Sequence, residues 1–334
     1  MEVFTTIETQ KPAAIRPAST RITWSDTVDH IKARLGWNRS GHRVAPGLYS
    51  IGNPVPASPV FVTANYTLSF DALRKALAGM DGYILVLDTK GVNVWCAAGK
   101  GTLGTDELVN RIASVDLKGI VEHRHVILPQ LGAVGVAAHL AKKRSGFKVE
   151  YGPVRAEDLP EYMKTRKAAP EMRKVRFGLW DRAVLIPVEL TNYFMPMALS
   201  TLALLLIGGW MPGMAVFSAF FSGLFLFPLL LPWLPSANFS LKGFALGAVT
   251  AAPFIYQSLA GQGETVDRHG WAGFYALAMP PVTAYLALNF TGSTPFTSLS
   301  GVKKEIAAYT PVMAAMAGLG LLAVAGMFLV KWIS

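Results

Sequence analysis

From Leu190 to Leu241 the chain contains no Asp, Glu, Lys or Arg, a run far longer than the ~20 apolar residues that one bilayer crossing needs. Such a run cannot be the surface of a water-soluble domain, so it fixes the character of the second half of the chain. The break GGWMPG (208–213) divides it, predicting one helix over about 190–208 and a second over about 213–233 that PWLP closes. Further uncharged runs at 243–263, 269–302 and 306–330 bring the expected spans to five, although only the first twenty or so residues of the middle run are convincingly apolar. Pro196, Pro253, Pro280 and Pro281 fall inside these spans, where neighbouring helices can satisfy the carbonyls they free.

Charge divides the chain at the same place. Residues 1–182 hold 26 of the 31 basic and 17 of the 21 acidic side chains, leaving five and four for the rest. Lys164, Arg166, Lys167, Arg173, Lys174, Arg176 and Arg182 precede the first span, Lys242 lies between spans two and three, and Lys303 and Lys304 between four and five. Against them stand only Arg268 and Lys331, so the bias predicts a cytoplasmic first half on an inner-membrane, multi-pass protein. Residues 1–40 show no apolar signal-peptide core, which agrees. The run KTRKAAPEMRKVR (164–176) reads as a topology signal that also meets anionic lipid, and no nucleic-acid partner is expected. Ionisable residues are almost absent from the spans, Glu189 at the edge of the first being the nearest case, a poverty that argues against ion-coupled transport.

The expected organisation is an extension over 1–44 with no assigned chemistry, an α/β domain over 45–166, a basic juxtamembrane linker over 167–189 and a membrane domain over 190–334. Within the α/β domain, apolar strands at 59–66, 83–89, 123–129 and 147–154 alternate with amphipathic helices at 69–79, 105–115, 134–146 and 156–166. That alternation predicts a parallel sheet covered on both faces, a Rossmann-like fold. Ligands of such sheets sit beyond the carboxyl ends of the strands, so TANYT, TKGVNVWCAAGKGT, PQLGAVG and YGPVR form the expected rim. No GxGxxG follows the first strand and GKGTLGT is not a phosphate loop, so nucleotide binding has no support. His123, His125 and His139 lack acidic or thiol partners at ligand spacing and read as structural or solvated.

The rim carries Cys96, the single cysteine of the chain. One thiol excludes an intramolecular disulfide framework and any zinc or iron–sulfur site built from this sequence's thiolates alone. A lone cysteine is commonly a small buried hydrophobe. Small residues at Ala97, Ala98, Gly99 and Gly101, a helix start and Lys100 nearby instead suit a metal ligand or a nucleophile. The residues by themselves leave both readings open.

The segment NVWCAAGK (93–100) resembles the signature of the HgcA family of mercury-methylating corrinoid proteins. PGLYSIGNP (46–54), SPVFVTANYTLSFDALR (58–74), LVLDTKGVNVWCAAGKGTLGTDELV (85–109), HRHVILPQLGAVGVAAH (123–139), GFKVEYGPVRAEDLPEY (146–162) and NFTGSTPFTSLSGVKKE (289–305) resemble it too. The resemblance covers roughly residues 40–310, and the first half is also similar to the corrinoid-binding domain of the corrinoid iron–sulfur protein large subunit. The DxHxxG signature of corrinoid proteins that ligate cobalt through histidine is missing.

What the resemblance implies is a base-off, cobalamin-type corrinoid held between the Rossmann-like domain and a short cap helix, with the Cys96 thiolate as catalytic residue and lower axial ligand of cobalt. Asn93, Val94, Trp95, Ala97, Ala98, Gly99, Lys100, Gly101 and Thr102 of the cap would contact it, with Thr63, Asn65, Gln130 and Gly132 beside them. The implied activity is a corrinoid-dependent methyltransferase that passes a methyl group from cobalt(III) to Hg(II), delivered as a thiolate complex, giving methylmercury. Implied partners are a dicluster [4Fe–4S] ferredoxin-like electron donor and a methyl donor from the methyltetrahydrofolate pathway. Two other readings stand beside it: a membrane corrinoid methyl carrier with a different acceptor, and a transporter with a cytoplasmic sensor domain.

Overall fold

The runs VFVTA and GYILVL are apolar or small at nearly every position, as strands must be when both faces of a sheet are covered. In the computed structural model, which describes residues 14–38 and 41–333, they are the two central strands of a six-stranded sheet. The chain falls into two compact units, one of residues up to 33 and 37–175, the other of residues 34–36, at the end of the first helix, and from 176 on. The first contains β1 (Arg16–Pro17), α1 (Trp24–Arg34), β2 (Gly47–Ile51), β3 (Val60–Ala64), α2 (Thr67–Ala76), β4 (Gly82–Leu87) and α3 (Val94–Lys100). It continues with α4 (Thr105–Ser114), α5 (Leu117–Ile120), β5 (His125–Leu128), α6 (Ala138–Ser145), β6 (Lys148–Tyr151) and α7 (Leu159–Thr165). Strand order is β1-β2-β4-β3-β5-β6.

Alternate residues of each central strand point to opposite faces. Phe61, Ile84, Val86 and Ile127 pack with Phe70 and Leu73 of α2 and with Leu159 and Tyr162 of α7. Val62, Leu85, Leu87 and Val126 pack on the other side with Leu108 and Ile112 of α4 and Ala141 of α6. The sheet is mixed rather than purely parallel, because β2 runs antiparallel to β4. Residues 52–59 hold no crossover helix to return the chain to its starting edge, so β3 runs opposite to β2.

Residues 14–33 are tied into this unit. β1 pairs parallel with β2, and α1 is joined to α2 through Arg74, whose guanidinium meets Asp26 at 2.7 Å and Asp71 at 2.6 Å and donates to the carbonyls of Ser19 and Arg21. His30 contacts the buried Asp71 at 2.7 Å. Burial pushes the Asp26 carboxyl up, but hydrogen bonds from Thr23 and Arg74 outweigh it and hold the group below the usual carboxylate range. A depressed folded-state value stabilises the fold above the unfolded value of about 4, and that contribution is lost as pH falls through the folded one. Amide exchange of α1, corrected for its intrinsic pH dependence, is therefore expected to be flat near neutrality and to rise below about pH 4.

The second unit contains α8 (Leu179–Ala183), α9 (Ile186–Gly208), and α10 (Trp210–Phe221), which passes through a π-helical turn at Ser222–Leu226 into α11 (Phe227–Leu230). Then come α12 (Phe239–Ala260), α13 (Thr265–Asn289) and α14 (Leu299–Ile333). The wide turn accommodates Pro228, which lacks the N–H and the clearance an ideal α-turn requires.

Among the described residues, four helical segments are long and apolar enough to cross a membrane: Leu179–Gly208, Trp210–Leu230, Phe239–Ala260 and Ser300–Ile333. They are compatible with a multi-pass membrane protein. The expected fourth span is α13, a helix of 25 residues that does not reach the same apolarity. Its composition follows from its surroundings, for much of α13 is buried against other helices rather than exposed. Gly243 and Gly247, four residues apart on α12, let the two backbones approach. A Cβ on Gly243 would lie 2.5 Å from Ala284 Cα, and one on Gly247 2.6 Å from Pro280 Cα. Two charges expected as topology signals are engaged within this unit: Lys242 Nζ donates to the carbonyls of Leu231 and Leu234 at 2.7 Å each, and Arg182 donates to that of Phe177.

Candidate functional site

The carboxyl end of β4 leads into a loop whose shape is set from a distance by Asn65, itself just past the end of β3. Asn65 is 2% exposed. Its Oδ1 accepts hydrogen bonds from the main-chain N–H groups of Thr89 and Gly91, 3.0 Å each, and its Nδ2 donates to Asp88 at 3.2 Å. The Thr89 hydroxyl lies 2.9 Å from the same Oδ1 and 2.7 Å from the Val92 carbonyl. On the far side, Glu107 of α4 accepts from the Asp88 N–H at 2.8 Å. A hydrogen bond from Lys90, outweighing burial, holds the Asp88 carboxyl below its ordinary range. The loop is thus pinned on both sides before it delivers the next helix.

That helix is α3, only seven residues long. Asn93 begins it in extended conformation, and its Oδ1 accepts from the Cys96 N–H at 2.9 Å, the arrangement that makes asparagine a good N-cap. Gly101 ends it with φ of 81°, the left-handed conformation glycine adopts without strain. Val94, Ala97 and Ala98 form its buried face. Gly135 allows this face to seat deeply, since a Cβ there would lie 3.1 Å from Ala98 Cα. Trp95, Gly99 and Lys100 form the exposed face, with Cys96 half-buried between the two. Asn93→Ala is expected to cost about 1 kcal/mol locally. Faster exchange of the Cys96 amide, with the sheet amides unchanged, is the measurement that checks it.

Beside α3, beyond the carboxyl ends of β3, β5 and β6, lies a cavity of about 350 Å³. Thr63, Asn93, Val94 and Trp95 form part of its wall. Ala72 and Leu73 of α2 face Leu128, Pro129 and Leu131 across it, and the segment from Gly152 to Ala156 closes a further side.

The structure therefore brings Thr63, Asn93, Val94 and Trp95 together at the cavity, with Cys96 following directly on the same helix. Ala97 and Ala98 face the core, and Gly99, Lys100 and Gly101 face outward. The Thr102 hydroxyl bonds back to the Ala97 carbonyl at 3.4 Å. Asn65 does not line the cavity but holds the preceding loop, and Gln130 receives a hydrogen bond from Arg173 at 2.7 Å. Gly132 packs against Leu128 and Leu103. Sequence reasoning missed Ala72 and Leu73 of α2 as wall residues, while Leu131 and residues 152–155 lie in PQLGAVG and YGPVR, two of the loops expected at the rim.

His123 and His125 stand at the amino end of β5, away from the cavity, His123 on the Ser58 carbonyl at 2.8 Å and His125 on Glu150 at 3.0 Å. Among the described residues no group of three or more His, Cys, Asp or Glu is placed to hold a metal ion.

Residues 37–163 match the family described as CO dehydrogenase/acetyl-CoA synthase delta subunit. The acetyl-CoA decarbonylase/synthase complex subunit gamma of Methanopyrus kandleri is 32% identical over 127 residues, covering 37% of this chain and 27% of that protein. Subunit gamma 2 of the same complex in Methanosarcina mazei is 33% identical over 132 residues, with the same coverage of 37% and 27%. The corrinoid/iron-sulfur protein large subunit of Moorella thermoacetica is 26% identical over 161 residues, 46% of this chain and 36% of its own. The chain thus spans about a quarter to a third of the length of these relatives. The family match lies within the α/β unit.

Proposed function

We propose that the protein is a membrane-anchored corrinoid protein of methyl transfer, in which the Cys96 thiolate would ligate the cobalt and Hg(II) would be the methyl acceptor. The observation that carries this reading is a lone, half-buried thiol in the first turn of a capped helix, set beside a largely apolar cavity in the segment that matches corrinoid relatives. When bound, the corrinoid supplies a cobalt centre able to carry and release a methyl group.

The residues present fit such a group. Gly99 lies three residues after Cys96, one helical turn on, and a Cβ there would meet nothing within 4 Å. The face beside the thiol is therefore open to a flat ring. Val94, Trp95, Leu131 and Pro129 offer it apolar contact, and Thr63 a hydroxyl. Asn93 keeps the first turn of α3 in place by holding the Cys96 amide, while Asn65 and Glu107 fix the loop that precedes it. Thiolate sulfur is an electron-rich ligand, suited to a methyl group that must leave carrying electron density toward a soft, thiolate-bound Hg(II). Restoring the low-valent cofactor calls for electrons that a sequence with one cysteine cannot hold in a cluster, hence a dicluster ferredoxin-like partner. The methyl group itself would come from the methyltetrahydrofolate pathway.

The basic flanks of the helices favour placing the α/β unit on the cytoplasmic side, with α13 as a protein-lined crossing, the fourth of five. Cobalt K-edge X-ray absorption of the anaerobic, cobalamin-loaded full chain tests the reading, with a sulfur scatterer near 2.3 Å, roughly the length of other first-row metal–thiolate bonds, as the expected result. Nitrogen or oxygen alone in the lower position would refute the ligand assignment. Loaded protein that forms no methylmercury from Hg(II) thiolates, with the sulfur signature intact, would favour a carrier with another acceptor.

A further inference from the structure

Helix α1 wears its polarity inside out. Its acidic side chains turn toward its own domain, Asp26 to Arg74 and Asp29 to His42, at 2.7 Å each, and His30 reaches Asp71. Trp24, Val28 and Ile31 follow the i, i+4, i+7 spacing of a single helical face. Trp24 is 77% and Ile31 50% exposed, and Trp37 just beyond the helix is 71% exposed. At 100° per residue Lys32 and Arg34 fall on either side of this stripe, both exposed. The outward surface is thus apolar and aromatic at its centre, basic at both margins and free of carboxylates.

We propose that this face of α1 docks on the anionic headgroup layer of the bilayer that the second unit enters. Tryptophan beside lysine and arginine is the composition of helices that lie in the interfacial layer. Charge decides the occupant, since basic margins with the acids withdrawn complement lipid phosphate. The proposal rests on membrane insertion of the second unit and is independent of the corrinoid.

The full chain, reconstituted in phosphatidylcholine–phosphatidylglycerol vesicles, tests it. Tryptophan emission is compared between the natural chain and Trp24→Phe/Trp37→Phe, in vesicles with and without lipids brominated near the headgroup and with iodide in the water. The emission removed by the double substitution is expected to be the part that bromine quenches and iodide does not reach. Lys32→Glu/Arg34→Glu is expected to reverse that pattern, and survival of bromine quenching in this variant would overturn the assignment to an anionic surface. Emission from Trp24 and Trp37 that is open to iodide in the natural chain would overturn the proposal, as would protection from both quenchers, which marks a second copy or a protein partner. Quenching of Trp210, Trp233 and Trp332 by brominated lipid reports insertion separately, so failure of the spans and failure of α1 to dock are distinguishable.

Discussion

Cys96→Ala is expected to leave the protein folded and to lower methyl transfer to Hg(II) by more than about 100-fold, because even the outer-sphere partners of a metal ligand are commonly worth 10–100-fold. The thiol is half-buried on the outer side of α3, away from Ala97 and Ala98, so its loss opens no large void in the core. Methylmercury formed by the anaerobic, methylcobalamin-loaded full chain is the measurement. Wild-type rates in the alanine variant would remove Cys96 from the mechanism. Cys96→His, which keeps a ligand of another kind, is expected to retain the corrinoid while slowing transfer, since a neutral imidazole pushes less electron density toward the departing methyl group.

Asn65→Leu is expected to be the more damaging change to structure. The leucine leaves the buried N–H groups of Thr89 and Gly91 without their acceptor. Each orphaned group costs about 1–3 kcal/mol, so the loss is on the order of 3 kcal/mol out of the 5–15 typical of a domain. Hydrogen exchange at Thr89 and Gly91 should accelerate about 100-fold, well beyond any change in β3. The cobalt–sulfur signature should weaken in parallel, because the loop that orients α3 is released. Loop amides that stay protected would show that Glu107 alone suffices to hold it.

The two central strands and the helices over both faces were legible because complete burial leaves a continuous apolar run in VFVTA and GYILVL. β2 was not, since its short GLYSI run lies one place from the sheet edge and its direction depends on the loop that follows. α13 was legible as a helix but ambiguous as a span, because a helix buried among others can use Gly, Pro, Tyr and Trp where a lipid-facing helix would use Leu. Cys96 and its N-cap could be seen in one contiguous segment. The work of Asn65 could not, as its partners lie more than twenty positions away, and the same holds for Arg74, which meets Asp26 across 48 positions. Such couplings exist only once the sheet has formed.

The half-exposed setting of Cys96 also bears on the order of assembly. Mercuric ion binds sulfur avidly wherever it can reach it, and in a chain lacking its cofactor nothing in the described structure closes over this sulfur. Under the proposed function an unloaded molecule would be titrated by its own methyl acceptor, and mass spectrometry of the apoprotein after brief exposure should find one mercury per chain, with none on chains loaded beforehand. On that proposal maturation would have to run ahead of exposure, and the cofactor would double as the shield of its own binding residue.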